Sequence, residues 1–266
     1  MGIEKRLCII CAWRQHCQKR FSVASDGTLN IHCPDFTRDY TIKDVEPDKE
    51  LVEQQLERWR QEGTAKAKPC ITVSRDPGAG GSEIARILAA DLNMDLIGGQ
   101  IISRVAESAK MSEKVVKTLD EKNVTKLDSW INSLFTSRHL WPDVYLQHLT
   151  KVVGTIGEHG NAIIVGRGAQ FILRPNRILR VRFIAPFDKR VLRVMKNRNC
   201  TSAEAESYLI KTDGGRAAFI KKYFNEDIAS PANYDLVVNT AILSCEEAAE
   251  LVKKAFQSRK FYNNVS

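Results

Sequence analysis

Short apolar runs alternating with helix-period stretches constrain this chain more than any other feature. Cys70-Ile-Thr-Val-Ser74, Met94-Asp-Leu-Ile97, Asn161-Ala-Ile-Ile-Val165, Leu179-Arg-Val-Arg-Phe-Ile184 and Tyr234-Asp-Leu-Val-Val-Asn239 each read as a short strand. Between them lie helical patterns. One begins at Ser82 and places Ile84, Ile87, Leu88 and Leu92 on one face. Thr201 with Glu204, and Ser244 with Glu247, have the spacing of capping boxes at helix starts. Strands that alternate with helices predict an α/β fold of three layers, a parallel sheet covered on both faces. Residues 100–160 are helical in pattern without an obvious strand, and read as an insertion over one edge of that sheet.

Two segments precede this region. Residues 46–68 read as a helical linker: Pro47 opens a helix with Leu51, Val52, Leu56 and Trp59 on one face, and Gly63 to Pro69 connects it onward. Residues 1–45 read as a small Cys-rich module. Phe21 to Val23, a turn at Asp26-Gly27 and Thr28 to His32 suggest a hairpin. Cys8, Cys11, Cys17 and Cys33 surround it, with His16 and His32 as spare ligands. Four thiolates can hold Zn²⁺ tetrahedrally, or an iron–sulfur cluster. So small a module lacks much core of its own, which favours a metal staple. A set of reduced, packed cysteines or a redox sensor are the other readings. Trp13, Arg14, Lys19, Arg20 and Phe21 could face nucleic acid or a protein partner.

No apolar run reaches the roughly 18 residues of a bilayer span, and the first residues lack a signal-peptide pattern, so a cytoplasmic protein without a membrane anchor is expected. In that compartment the seven cysteines are expected as thiols rather than disulfides. Cys70, Cys200 and Cys245 read as structural, and His139, His148 and His159 have no metal spacing among themselves. A formal net charge of +8 suits nucleotide phosphates or nucleic acid, and equally serves solubility.

The most informative stretch is residues 71–85, Ile-Thr-Val-Ser-Arg-Asp-Pro-Gly-Ala-Gly-Gly-Ser-Glu-Ile-Ala. It runs strand, glycine turn, helix. Such a turn lets backbone N–H groups of Gly78, Ala79, Gly80, Gly81, Ser82 and Glu83 gather on a phosphate beside the positive end of a helix. Laid on the pattern G-x-x-x-x-G-K-[ST], the first Gly falls on Arg75, the second on Gly80, the Lys on Gly81, and the hydroxyl on Ser82. Ser82 is thereby placed for a nucleotide-bound Mg²⁺. With no lysine in its usual place, Arg75 is the candidate to supply the missing charge.

These residues resemble the opening of the cytidylate kinase-like family, which also has Gly for the lysine and Arg after the strand. Four further stretches match in order: Ile163-Ile-Val-Gly-Arg-Gly-Ala-Gln-Phe-Ile-Leu173, Ala185-Pro-Phe-Asp-Lys-Arg-Val-Leu-Arg-Val-Met195, Lys211-Thr-Asp-Gly-Gly-Arg-Ala-Ala-Phe219 and Asn233-Tyr-Asp-Leu-Val-Val-Asn-Thr240. The resemblance implies a P-loop kinase fold over residues 69–260, with the acceptor site under the helical insertion and a lid near residues 190–225. It implies ATP and Mg²⁺, and phosphoryl transfer to a nucleoside monophosphate, CMP or dCMP first. Arg167, in Gly166-Arg167, is then the holder of the acceptor phosphate. At the carboxyl end of a buried strand it is also where ligands bind in such sheets, and a guanidinium grips phosphate with paired bonds. Arg190, Arg193, Arg198 and Arg216 resemble lid arginines, with Arg193 and Arg216 preferred. Asp213, three before Arg216, is expected to hold it by an i, i+3 ion pair.

The pattern also departs from the family. Gly98 and Gly99 stand where an acidic residue is common, and Gly-Arg-Asp reads Gly166-Arg167-Gly168. Gly214-Gly215 interrupts the lid, as a hinge or as a sign of decay. These changes support an alternative: a nucleotide-binding sensor, weak or inactive in catalysis, coupled to the Cys-rich module.

Overall fold

The computed structural model describes residues 25–26, 30–31, 49–62, 68–138 and 143–261. Strand β1 (Ser25–Asp26) pairs antiparallel with β2 (Asn30–Ile31), while Phe21 to Val23 and Gly27 to Leu29 lie outside the described residues. Helix α1 (Lys49–Glu62) precedes β3 (Cys70–Arg75), α2 (Gly81–Leu92) and β4 (Asp95–Gly98). Next come α3 (Gly99–Glu107), α4 (Ala109–Val116), α5 (Glu121–Arg138) and α6 (Val144–His159), with no strand between them among the described residues. The chain continues through β5 (Ala162–Val165), the short α7 (Ala169–Ile172), β6 (Ile178–Ile184), α8 (Phe187–Arg198), α9 (Ser202–Phe224), β7 (Leu236–Asn239) and α10 (Cys245–Ser258).

The main sheet has five strands in the order β4-β5-β3-β6-β7, all parallel. Period-two alternation distributes its side chains between two cores. Ile71, Val73, Ile163, Val165, Val181 and Phe183 face α2 and α10. Cys70, Ala162, Ile164 and Ile178 share the other core with α1, α3, α6, α7 and α9. Since both faces are covered, the strands are nearly continuous apolar runs. No described helix is long and apolar enough to cross a membrane.

Both capping boxes form. Thr201 and Ser244 accept from the backbone N–H of Glu204 and Glu247, whose carboxylates reach back to the cap residue. Helix α9 runs unbroken through Gly214 and Gly215, where an added Cβ would meet nothing within 4 Å.

Helix α1 packs into the core. Leu56 is fully buried and Trp59 is 6% exposed, its ring stacked on His159 with centroids 4.8 Å apart. Gln55 and Arg58 donate to the Asp95 carboxylate at 2.8 and 3.0 Å, and Glu53 pairs with Lys114. Leu56→Ala is therefore expected to cost about 2–5 kcal/mol, the usual range for a buried leucine. Urea unfolding checks this, and a loss under about 1 kcal/mol would show that the helix rests only loosely on the core.

Candidate functional site

At the carboxyl end of β3 the chain turns sharply through Asp76-Pro77-Gly78-Ala79-Gly80 into α2. The turn is fastened from outside. Arg193 Nη1 donates to the Gly78 carbonyl at 2.9 Å, and the Thr240 hydroxyl donates to the Ala79 carbonyl at 2.8 Å. Across a planar trans peptide the N–H points opposite the carbonyl, so anchoring Ala79 O directs the Gly80 N–H to the other side. Gly81, Ser82 and Glu83 form the first turn of α2, whose N–H groups have no intrahelical acceptor and carry the positive end of the helix. Gly78 lies so close to α8 that a Cβ there would sit 2.9 Å from the Arg190 carbonyl oxygen.

Three arginines converge beside this turn. Arg75 ends β3, and its Nη1 lies 2.7 Å from where a Cβ on Gly166 would stand. Its Nε is buried without a hydrogen-bond partner. Burial, and then the neighbouring charges of Arg216 and Arg167, pull the guanidinium down to about 9. Arg216 reaches across from α9 and donates to the Arg75 carbonyl at 2.7 Å, and burial lowers its guanidinium too. Arg167 donates Nε–H to the Gly99 carbonyl at 3.2 Å and lies 5.2 Å over the Phe219 ring. Among the described residues, none of these three guanidiniums pairs with a carboxylate.

The surrounding arginines are different. Arg182 is buried and bonds Ser74 Oγ at 3.0 Å and Asp76 Oδ1 at 2.7 Å. Arg190 pairs with Asp213 at 2.7 Å, and Arg198 lies 4.0 Å over the Tyr208 ring. Arg182 and Arg190 are thus tied to carboxylates and Arg193 to the turn's own carbonyl, while Arg75, Arg167 and Arg216 lie outside ion-pair distance of any described carboxylate, although Asp213 and Asp76 are near enough to favour the charge on Arg216. Such a concentration of like charge is stabilised by an anion.

A model of the cytidylate kinase-like family matches residues 70–242, from the first residue of β3 to just beyond β7. The chain belongs to the cytidylate kinase-like family. It is 24% identical over 184 residues to a cytidylate kinase of Ignicoccus hospitalis, covering 69% of this chain and 96% of that protein. It is 25% identical over 193 residues to a cytidylate kinase of Methanocaldococcus jannaschii, covering 71% and 98%. An uncharacterised protein from Eubacterium ventriosum has the same fold, with a TM-score of 0.55 and 18% identity over 72% of this chain and all of that one.

Within this family member, Arg75, Arg167 and Arg216 meet at the glycine turn, whereas Arg193 supports the turn from behind. The expected ion pair of Asp213 with Arg216 is corrected. Asp213 turns toward α8 and meets Arg190, because the Arg216 side chain is extended toward the end of β3. Gly78, Ala79 and Gly80 lie in the turn, and Gly81 is the first residue of α2. Ser82 and Glu83 are solvent-facing on the first turn of α2, and Glu83 pairs with Arg86. The Cys8, Cys11, Cys17 and Cys33 set lies outside the described residues, among which no cluster of three or more potential metal ligands occurs. Burial pushes the Cys70 thiol up to about 11, consistent with an inert core thiol.

Sequence reasoning passed over Asp76 and Arg182. A cavity of about 290 Å³ is bounded by Arg75, Asp76, Arg182, Asp213, Gly214 and Arg216. Burial lifts the Asp76 carboxyl, a shift that Arg182 and Arg190 oppose. The signal was present in Leu179-Arg-Val-Arg-Phe: an arginine at alternate positions of an inner strand faces a covered side of the sheet and needs a partner.

Proposed function

We propose that the chain transfers the terminal phosphoryl group of MgATP to a nucleoside monophosphate, with CMP or dCMP the first candidates. The observation that carries this reading is the meeting of Arg75, Arg167 and Arg216 at a glycine turn, none of them in ion-pair contact with a carboxylate among the described residues. In this scheme the amides of the 78–83 turn and the Ser82 hydroxyl receive the donor phosphates and their Mg²⁺. Arg167 holds the acceptor phosphate. Arg75 and Arg216 neutralise charge on the group in transit, since phosphoryl transfer depends mostly on positioning and charge stabilisation. A phosphate acceptor is already a nucleophile at neutral pH, so no general base is required. The relatives from Ignicoccus and Methanocaldococcus, both named cytidylate kinase, support the same class of acceptor.

The test is turnover of MgATP by the full chain with CMP, dCMP, UMP and AMP offered in turn. ADP formation that depends on CMP or dCMP is expected. Normal MgATP binding with no turnover of any acceptor would replace the kinase reading with that of a nucleotide-binding sensor.

A further inference from the structure

A Cβ placed on Gly81 would stand 2.6 Å from Arg75 Cβ and 3.1 Å from Arg75 Cγ. The Arg75 Cβ is fixed by the backbone of β3 in every rotamer, so it cannot swing aside as a side-chain tip could. The ring edge of Phe183, 3.1 Å away, needs to give only a few tenths of an ångström. Positions 75 and 81 therefore share one seat, and only one of them can carry a side chain. The ordinary phosphate-loop pattern satisfies this with Gly at the first position and Lys at the seventh. This chain satisfies it in reverse, with Arg75 at the first and Gly81 at the seventh.

We infer that Arg75 and Gly81 are a reciprocal exchange: the loop's phosphate-binding cation has moved across the turn, and each residue is a condition for the other. The inference rests on the reading that this turn binds nucleotide phosphates. Two further observations support a ligand role for Arg75 over a packing role. Among the described residues its guanidinium has no carboxylate partner and its buried Nε has no hydrogen-bond partner. It also extends from the donor turn toward Gly166, and so toward Arg167, whose positive charge opposes its own. A side chain kept for packing alone would gain nothing from a guanidinium there.

The experiment is a cycle of three variants, Arg75→Gly, Gly81→Lys and the double exchange, titrated with MgATP and with inorganic pyrophosphate by calorimetry, and melted. Arg75→Gly is expected to weaken both ligands about 30-fold, the scale of a charged hydrogen bond lost. Gly81→Lys alone is expected to lower the melting temperature and to bind no better. The double exchange should recover affinity to within about 5-fold of the wild type, the new lysine providing a charged bond of the same scale. Unchanged affinity in Arg75→Gly would overturn the inference. So would a double variant that melts like Arg75→Gly and binds no better than it.

If the lysine variants fail to fold, Gly81→Ala reads the steric half alone. It should destabilise the wild type markedly and the Arg75→Gly background little, and additive losses would refute the shared seat. Wild-type protein that binds neither MgATP nor pyrophosphate would sink the nucleotide-binding reading itself, and the inferred role of Arg75 with it. The Gly81→Ala cycle would still report on the steric exclusion.

Discussion

Replacing Arg167 with glycine is expected to lower kcat/KM for the acceptor about 100-fold or more while leaving the melting temperature at or above that of the wild type. The unusual half of this expectation comes from the backbone. Arg167 has φ of 54° and lies between Gly166 at 86° and Gly168 at 68°, three left-handed residues in succession. The other non-glycine residues with positive φ among those described are Asn93, Asn161, Asn199 and Asn225, the residue type that tolerates this region best. For an arginine the same conformation costs on the order of 1–2 kcal/mol, which glycine would relieve. Loss of the bond to the Gly99 carbonyl and of the contact with Phe219 offsets that gain by a similar amount. In the proposed role of Arg167 the loss has no such compensation, because two charge-assisted bonds to a phosphate are together worth several kcal/mol. Steady-state kinetics and a thermal melt on the same preparation check both halves. Arg167→Lys, which keeps the charge and loses the planar fork, should fall between. A glycine variant that turns over normally, or that unfolds many degrees earlier, would make Arg167 a structural residue.

Placing beside Arg167 the carboxylate that the resemblance to cytidylate kinases leads one to expect there should damage the protein. In Gly168→Asp the new Cβ would lie 2.1 Å from Phe224 Cε2 and 2.6 Å from Cζ. Phe224 cannot easily retreat: it is 1% exposed, stacked on Phe171 at 5.2 Å and tilted against Phe219 at 6.4 Å. Overpacking of this kind costs about 1–3 kcal/mol, and a carboxylate against an aromatic core adds a desolvation penalty of similar size. A melting temperature lower by on the order of 10 °C is expected for a chain of this size. An unchanged melt would show that the aromatic cluster yields. The missing carboxylate is thus explained by what stands in its place: the end of α9 packs an aromatic ring where that side chain would have to start.

The sheet was legible because its strands are covered on both faces, which turns each into a run such as Asn161-Ala-Ile-Ile-Val165 that few other structures produce. The turn was legible because its glycines fall between a strand and a helix. Partner choice among the charged residues was not. Asp213 and Arg216 are neighbours along any helix, and that local fact suggested a pair. The actual partner, Arg190, is set by the packing of α8 against α9, which spacing along the chain does not encode. Arg182 was overlooked for the same reason: its partners, Ser74 and Asp76, are brought to it by the pairing of β6 with β3. The mutual exclusion of residues 75 and 81 is likewise a matter of tenths of an ångström across a turn, although both halves of it stand in the sequence.

The helix that precedes the first strand of the sheet has a practical consequence. The stretch shared with the family begins at residue 70, whereas Leu56 and Trp59 are already interior residues of this protein. A fragment trimmed to the shared boundaries would lose the lid over a greasy hollow and leave Asp95 without Gln55 and Arg58. Such a fragment is apt to clump in the tube, and a failed assay on it would speak to the cut and not to the protein.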